Sequence, residues 1–134
     1  IAQAPALRFG IVPASLDPLD KRRDPERVHA IHLALSRALL AEESVDLLVW
    51  PETVYTRGIR GPLPVAGRPI RSDLDVPLLF GAASLRTESG RSLTYNSAFL
   101  IGPDGRLAAT SGGPHDAEVM ARDFRVLVAR GAAN

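Results

Sequence analysis

The stretch VDLLVWPETVYTRG, residues 45–58, places an acid directly behind an apolar run. Four of its first five residues are apolar, and such continuous apolarity is typical of a strand that is covered on both faces. Pro51 cannot donate to a strand ladder and it restricts Trp50 to extended backbone, so the strand is expected to end there. Glu52 therefore stands at the carboxyl end of a predicted buried strand.

The residues before this strand predict another strand and a helix. Residues 6–12, ALRFGIV, form a short apolar run that ends at a proline. Residues 13–25, PASLDPLDKRRDP, are turn-rich and charged and predict a surface loop. Asp24 can cap a helix, and Pro25 suits its first position. Apolar residues then recur at helical spacing to about Glu42, which predicts one buried helix face: Val28, Ile31, Leu35, Ala38 and Leu39.

The residues after the acid predict a loop, a strand and a hairpin. Residues 53–75 carry three glycines and three prolines and predict a long irregular loop, of a kind that is usually functional or mobile. Residues 76–85 predict a third strand, and the TESG sequence, residues 87–90, predicts a turn after it. Residues 93–110 predict a β-hairpin around Pro103-Asp104-Gly105, with Gly105 at a positive φ. This order of elements predicts an α/β domain whose first strands are parallel.

The expected position of Glu52 is compatible with a catalytic role, although position alone favours a plain strand-terminal acid. Ligands of parallel sheets bind beyond the carboxyl ends of the strands. We therefore expect Glu52 to point into a cleft under the 53–75 loop. Trp50 and Tyr55 would partly desolvate it there, which suits a general base. A carboxylate that faces water or caps the next turn is the competing interpretation.

Length and composition limit the possible functions. The chain has 134 residues, enough for one domain or less, and a formal net charge of +1, which gives no argument for a nucleic-acid partner. It has no cysteine, hence no disulfide and no thiol nucleophile of its own. No apolar run has the length of a membrane span. Because the chain begins at Ile1 and its one methionine is Met120, we expect a processed product or a piece of a longer protein.

The segment VDLLVWPET, residues 45–53, resembles the catalytic-glutamate segment of the nitrilase, or carbon–nitrogen hydrolase, superfamily. Within that superfamily, the chain looks most like the catalytic domain of the apolipoprotein N-acyltransferases, bacterial enzymes that add a third acyl chain to lipoproteins. The resemblance runs from about Arg8 to Leu107 and includes Tyr95-Asn96-Ser97. Residues 111–134 diverge from it.

The resemblance implies an α-β-β-α sandwich with a Glu-Lys-Cys catalytic set. In that set the glutamate is the general base, the cysteine attacks an acyl carbonyl, and the lysine stabilises the oxyanion. Only the glutamate has a counterpart here, Glu52. The family's lysine follows the second hairpin strand, where this chain has AATSGGPHDAEV, residues 108–119. We therefore expect the first half of a catalytic domain, and we expect this chain alone to transfer no acyl group and hydrolyse no amide.

The resemblance also implies substrates and a location. Phospholipid and lipoprotein would be the substrates, and the parent protein would act on the periplasmic side of the bacterial inner membrane; no cofactor is implied. Trp50 and Tyr55 could line an acyl site or pack in the core, and Asn96 could lie near Glu52 or simply belong to its strand. A non-catalytic truncated nitrilase-like domain and an amidase of the same superfamily are the alternatives for function.

Other polar residues have a functional and a structural interpretation. His29 and His32 share a helix face, yet a metal site needs a third ligand, so we expect no metal. His115 beside Asp116 could be a base with its orienting acid, although the pair sits next to Gly112-Gly113 in a predicted loop and a helix-start role is the favoured interpretation. Four arginines in the 53–75 loop could bind phospholipid headgroups or simply be solvated: Arg57, Arg60, Arg68 and Arg71.

The C-terminal segment predicts a helix over residues 117–130. Asp116 can cap it, and one face would carry Met120, Phe124, Leu127 and Val128. A strand at FRVLV, residues 124–128, competes with this prediction. A partial sandwich would expose one apolar sheet face, which this segment or a second copy of the chain could cover. Deletion of residues 116–134 is therefore expected to cause aggregation or a larger oligomer, detectable by light scattering.

Overall fold

The computed structural model describes residues 6–13, 16–52, 54–60, 67–112, 116–119, 121–122 and 125. Its strands are β1 (Phe9–Ile11), β2 (Leu47–Val49), β3 (Ile59–Arg60), β4 (Leu78–Glu88), β5 (Arg91–Ile101) and β6 (Leu107–Gly112). Its helices are α1 (Pro18–Arg23), α2 (Pro25–Glu42) and α3 (Gly67–Arg71).

All of these strands belong to one mixed sheet. The order across the sheet is β1-β2-β4-β5-β6, and β3 pairs with β4 beyond the end of β2. β1, β2 and β4 are parallel, whereas β4, β5 and β6 are antiparallel. The predicted α/β class and the parallel pairing of the first strands are therefore confirmed.

The start of α2 follows its sequence signal. The Asp24 side chain accepts a hydrogen bond from the backbone N–H of Arg27 at 3.0 Å, and Pro25 occupies the first turn. This carboxylate satisfies one of the helix's unpaired N–H groups, and proline lacks a donor that would otherwise go unpaired there. The predicted helix from Pro25 to Glu42 is confirmed.

The buried face of α2 differs from the prediction. The helix buries Val28, His32 and Ser36 against the sheet, whereas Leu35 is 43% exposed and Ala38 is also exposed. The reason is a tertiary one: the Trp50 indole N–H at the end of β2 needs a buried acceptor, and Ser36 supplies it. The helix is therefore rotated so that two polar residues face inward.

Two segments predicted as loops contain regular structure. Within residues 13–25, α1 begins at an N-cap in which Asp17 accepts from the N–H of Leu19 at 2.7 Å. Within residues 53–75, β3 pairs with β4 and α3 follows. The second segment is anchored in the core, since Ile59, Ile70 and Leu74 are each at most 5% exposed. Both loop predictions were wrong because short elements gain their stability from packing rather than from local pattern.

The two hairpins are close to the prediction. β4 starts at Leu78 rather than Val76 and runs to Glu88, so it outlasts the predicted strand by three residues. The first turn places Ser89 and Gly90 at φ of 49° and 76°, as two-residue hairpin loops require. The second turn has Gly105 at φ 80°, which confirms the predicted positive φ.

The two faces of the sheet have different surroundings. The helix-covered face is fully buried at Leu48, Leu78 and Ile101. On the opposite face, called here the open face, Phe9 is 58% and Ile11 is 68% exposed. Leu47 and Val49 of β2 are half-buried there, so the expected cover on both faces of this strand is absent among the described residues. The expected exposed apolar sheet face is confirmed for these residues.

The C-terminal segment is described only in part. Asp116 accepts hydrogen bonds from the N–H groups of Glu118 and Val119, each at 2.9 Å, as the predicted cap requires. Residues 117–119, 121–122 and 125 are helical. Met120, Phe124, Leu127 and Val128, which define the predicted helix face, lie outside the described residues, as does His115.

Candidate active site

Glu52 follows a central strand of the sheet. β2 is flanked by β1 and β4, and the pairing continues past its end, where the Trp50 N–H donates to the Leu79 carbonyl at 2.9 Å. Pro51 then stops the ladder because it has no N–H. The sequence-based position of Glu52, at the carboxyl end of a central parallel strand, is therefore confirmed.

The neighbouring strand leaves room for this acid because it has a glycine there. A Cβ atom on Gly81 of β4 would lie 3.2 Å from the Glu52 Cα and 3.3 Å from its Cγ. Contacts of that length are too short for a side chain without a shift of one partner. Gly81 thus lets the segment after β2 lie directly against β4.

Glu52 lines a cleft of about 380 Å³. The cleft is built from α1, the segment after β2, and strands β4 and β5; its lining residues are Lys21, Arg22, Glu52, Tyr55, Thr56, Ala82, Ala83 and Asn96. Glu52 is itself exposed, which differs from the partial desolvation expected from Trp50 and Tyr55. The difference arises because Trp50 turns to the other side of the strand.

Trp50 belongs to a buried polar network. It is 2% exposed, and its Nε1–H donates to the Ser36 Oγ at 2.9 Å. The Ser36 hydroxyl donates in turn to the His32 carbonyl at 2.7 Å, and the His32 Nδ1–H donates to the Val28 carbonyl at 2.9 Å. The network fixes the end of β2 to α2, and thereby fixes the backbone that carries Glu52.

His32 in this network is fully buried. Desolvation lowers the pKa of His32 below its ordinary value, and electrostatic interaction with Lys21 and His29 lowers it further. Its Nε2 atom has no hydrogen-bond partner within the part of the chain that the structure describes. A neutral imidazole is thus the form that this site accommodates.

The other predicted substrate-binding residues do reach the cleft. Tyr55 is half-buried, with its ring edge-on to Phe80 at 6.5 Å and to His29 at 6.1 Å between centroids. Asn96 of β5 is paired with Ala83 of β4 and lines the same cleft as Glu52. The structure therefore brings Glu52, Tyr55 and Asn96 together and places Trp50 in the core behind them.

The loop arginines do not line this cleft. Arg57 forms an exposed ion pair of 2.5 Å with Glu26, whereas Arg60 and Arg68 are exposed. Arg71 is 8% exposed and donates from Nη1 to the Leu74 carbonyl. Each of these four side chains is therefore either exposed to solvent or engaged in a structural contact.

The two helix histidines make structural contacts. The His29 Nε2–H donates to the Ile70 carbonyl at 2.5 Å, so this ring holds α3 to α2. Among the described residues, no group of three or more His, Asp or Glu is placed to hold a metal ion. In the same part of the chain, every helix is too short or too polar to cross a membrane.

Sequence reasoning missed the basic side of the cleft. Lys21, the chain's only lysine, and Arg22 reach it because α1 is a helix rather than a loop. Asp17-Pro18 has the same cap-plus-proline signal as Asp24-Pro25, and it could have predicted this helix.

Comparison with known proteins supports the fold through a solved structure of low sequence identity. No family model matches the chain, and no curated protein matches it. A carbon–nitrogen hydrolase from Helicobacter pylori has a similar solved structure, with a TM-score of 0.50 and 19% sequence identity over 81% of this chain. This chain spans 40% of the length of that structure. The fold is thus a partial nitrilase-like α/β fold.

Proposed function

We propose that Glu52 is the general base of an acyl-transfer site, and that the chain carries this base for an N-acyltransferase of the nitrilase type. The position of Glu52 is the observation that carries the proposal: a carboxylate at the carboxyl end of a central parallel strand, in a cleft shared with Tyr55 and Asn96. The resemblance of residues 45–53 to the catalytic-glutamate segment supports it, as does the similarity to a solved carbon–nitrogen hydrolase.

The chemistry of such a site assigns Glu52 a single proton to move. Its carboxylate takes the proton of a thiol, and the thiolate sulfur bonds to the acyl carbon. The bond from that carbon to the leaving alcohol breaks, and the alcohol takes the proton from Glu52. The acceptor amine then bonds to the acyl carbon, the carbon–sulfur bond breaks, and the proton that the amine loses passes to the thiolate and restores the thiol. Since the chain contains no cysteine, the thiol comes from outside these residues.

By the resemblance, the acyl donor would be a phospholipid and the acceptor the N-terminus of a lipoprotein. A carbon–nitrogen hydrolase is the second candidate, because the similar solved structure is of that class. The two reactions differ in the group that takes the acyl chain from the sulfur. This group is an amine in the transferase and water in the hydrolase. A non-catalytic nitrilase-like domain would release nothing.

The test uses the complete open reading frame that encodes this chain, beside the chain itself. A phospholipid–lipopeptide pair reports transfer, and short aliphatic amides report hydrolysis. We expect turnover by the complete product only, with kcat/KM about 10²- to 10⁴-fold lower in Glu52→Gln, the usual contribution of a general base.

Glu43→Gln is the matched control, because Glu43 is an exposed carboxylate at the end of α2 that does not line the cleft. Turnover that persists in Glu52→Gln would refute the role of Glu52. A complete product that lacks both activities would favour the non-catalytic alternative.

A further inference from the structure

The first hairpin extends beyond the strands that flank it. β4 and β5 are paired over all 11 residues of each strand. On its outer side, β5 pairs with β6 only from Ser97 to Ile101. Within the part of the chain that the structure describes, no strand lies on that side of the first half of β5, which begins at Arg91. The row of the sheet that β6 occupies is thus filled along one half of β5 and open along the other.

The open half of β5 directs main-chain hydrogen-bonding groups outward. The Leu79 carbonyl accepts from the Trp50 N–H, so odd-numbered residues of β4 bond toward β2 and even-numbered residues bond toward β5. In the register, even-numbered residues of β4 face odd-numbered residues of β5. Because facing residues of antiparallel strands exchange two hydrogen bonds or none, the N–H and C=O groups of Ser92 and Thr94 point away from β4. These four groups are called here the free edge.

The free edge has little protection against pairing with another strand. Ser92 and Thr94 are exposed, and their main-chain groups have no hydrogen-bond partner among the described residues. Proteins commonly protect such edges with a proline or a β-bulge. Residues 91–96, RSLTYN, contain no proline, and their pairing with β4 is regular. The hydrogen-bonding groups of this edge are therefore available to an extended chain.

The side chains beside the free edge give it a sequence preference. Successive side chains of a strand alternate between the two faces of the sheet, so Arg91, Leu93 and Tyr95 share one face. Leu93 and Tyr95 are half-buried, whereas Arg91 is exposed. A strand added to β5 would place every second side chain opposite these residues, at the distance at which cross-strand pairs contribute to stability.

The charge on this face is positive. The Arg86 guanidinium lies 5.8 Å from the centroid of the Tyr95 ring. Glu88 is opposite Arg91 in the register, but no ion pair joins these two residues. β5 itself contains no acid, so a second copy of β5 would offer the two arginines no partner. An acidic peptide has the complementary charge.

We propose that the free edge of β5 binds an extended, acidic peptide segment of a partner protein, which adds to the sheet as an antiparallel strand in the row of β6. Main-chain hydrogen bonds to Ser92 and Thr94 supply the contact that any sequence can make. An acid opposite Arg91 and apolar residues opposite Leu93 and Tyr95 select the sequence. The inference is independent of the proposed function, because strand addition needs no thiol and no turnover.

The probe is the pentapeptide Val-Thr-Val-Thr-Glu, acetylated and amidated at its ends. In the proposed register its valines face Tyr95 and Leu93, and its glutamate faces Arg91. Its threonines exchange main-chain hydrogen bonds with Thr94 and Ser92. Binding is followed at low ionic strength through the backbone amide resonances of β5. We expect saturable binding that weakens about fivefold when lysine replaces the glutamate, since an attraction becomes a repulsion.

N-methylation of the peptide separates strand addition from other contacts. Methyl groups on the nitrogens of the second and fourth residues remove the two donors that face β5. They should weaken binding at least about tenfold, because two hydrogen bonds are lost. Methyl groups on the nitrogens of the first and third residues, which face solvent, are the matched control and should change the affinity less than about threefold. Equal effects of the two peptides would refute strand addition.

Two proline variants repeat this test on the protein. Thr94→Pro removes a donor of the free edge and leaves the ladder between β4 and β5 intact, because that N–H points outward. Thr87→Pro is the control, since it removes an N–H on the opposite edge of the same hairpin. We expect Thr94→Pro to weaken binding about fivefold and Thr87→Pro to change it less than about twofold. Thermal unfolding verifies that both variants fold.

The inference is overturned if the peptide does not bind, if the lysine peptide binds as tightly, or if Thr94→Pro leaves the affinity unchanged. Sedimentation of the chain without peptide tests the competing occupant, a second copy. A dimer that Thr94→Pro dissociates would assign the free edge to self-association and overturn the proposal. A mass that Thr94→Pro leaves unchanged supports a peptide as the occupant.

Discussion

The two faces of the sheet differ in how completely their apolar side chains are buried. On the helix-covered face, Leu48 is completely buried, and the neighbouring Trp50 has its polar atom paired with Ser36. On the open face, Phe9 and Ile11 of β1 remain 58% and 68% exposed, although both are large and apolar. Apolar pattern alone therefore states which residues can be buried, and only the covering layer determines which of them are.

The largest expected difference between the faces concerns core truncation. Leu48→Ala should lower the free energy of unfolding by about 2–5 kcal/mol, because it leaves a cavity under α2. Ile11→Ala on the open face should lower it by less than about 0.5 kcal/mol. Urea denaturation measures both. Equal losses would mean that the open face is covered in solution, for example by a second copy of the chain.

A smaller effect is expected from the polar part of the helix-covered face. Ser36→Ala removes the acceptor of the Trp50 indole N–H and should cost about 1–3 kcal/mol, the penalty for a buried donor without a partner. Ser44→Ala, at an exposed position past the end of α2, is the control and should cost almost nothing. If the two variants unfold at the same urea concentration, the Trp50 bond contributes nothing to stability.

Close packing gives the next prediction. A Cβ atom on Gly10 of β1 would lie 2.8 Å from a Leu39 methyl and 2.9 Å from a Val45 methyl. Gly10→Ala should therefore destabilise the chain by about 1–2 kcal/mol in urea denaturation, because the Leu39 side chain is flexible whereas the β-branched Val45 is stiff. Ile11→Ala, at the next residue of β1 and on the open face, is the comparison variant. A more stable Gly10→Ala variant would show that α2 can move away from β1.

The smallest effect is a pH dependence that belongs to the helix-covered face. Burial, Lys21 and His29 lower the pKa of His32, so the unfolded chain binds more protons than the folded chain below about pH 6.5. Stability should be complete above that pH and fall as the pH drops toward the lowered pKa. Between pH 7.5 and 6.0 the loss should be below about 1 kcal/mol for one proton.

Thermal unfolding at the two pH values measures this loss, and His32→Gln should reduce it. His29→Gln is the comparison: it removes only one of the neighbours that lower the pKa of His32, so it should reduce the loss less than His32→Gln does. An unchanged pH dependence in His32→Gln would assign the effect to other groups.

The features that could be predicted from the sequence are those fixed by local chemistry. Pro51 ends β2 wherever the strand lies, so the position of Glu52 followed from two adjacent residues. Asp24-Pro25 started α2, and Gly105 took its positive φ for equally local reasons. The resemblance of residues 45–53 to the nitrilase superfamily rested on that same strand end, and the fold that it implied agrees with the structure.

The features that were missed depend on contacts between distant residues. The rotation of α2 was decided by Trp50, which lies 14 residues from its acceptor Ser36. β3 exists only because β4 offers it a partner. Lys21 and Arg22 entered the candidate site through α1, a helix of six residues whose cap signal was outweighed by its turn-like composition.

Asp24 is the one residue between α1 and α2, and its contacts with both helices have a kinetic consequence. Its backbone ends the first helix while its carboxylate begins the second. An outward swing of α1 as a lid would break the hydrogen bond from the Asp24 N–H to the Asp20 carbonyl that ends this helix. Entry to the cleft should therefore proceed without a preceding isomerisation, so the observed association rate should rise linearly with ligand concentration and reach no plateau.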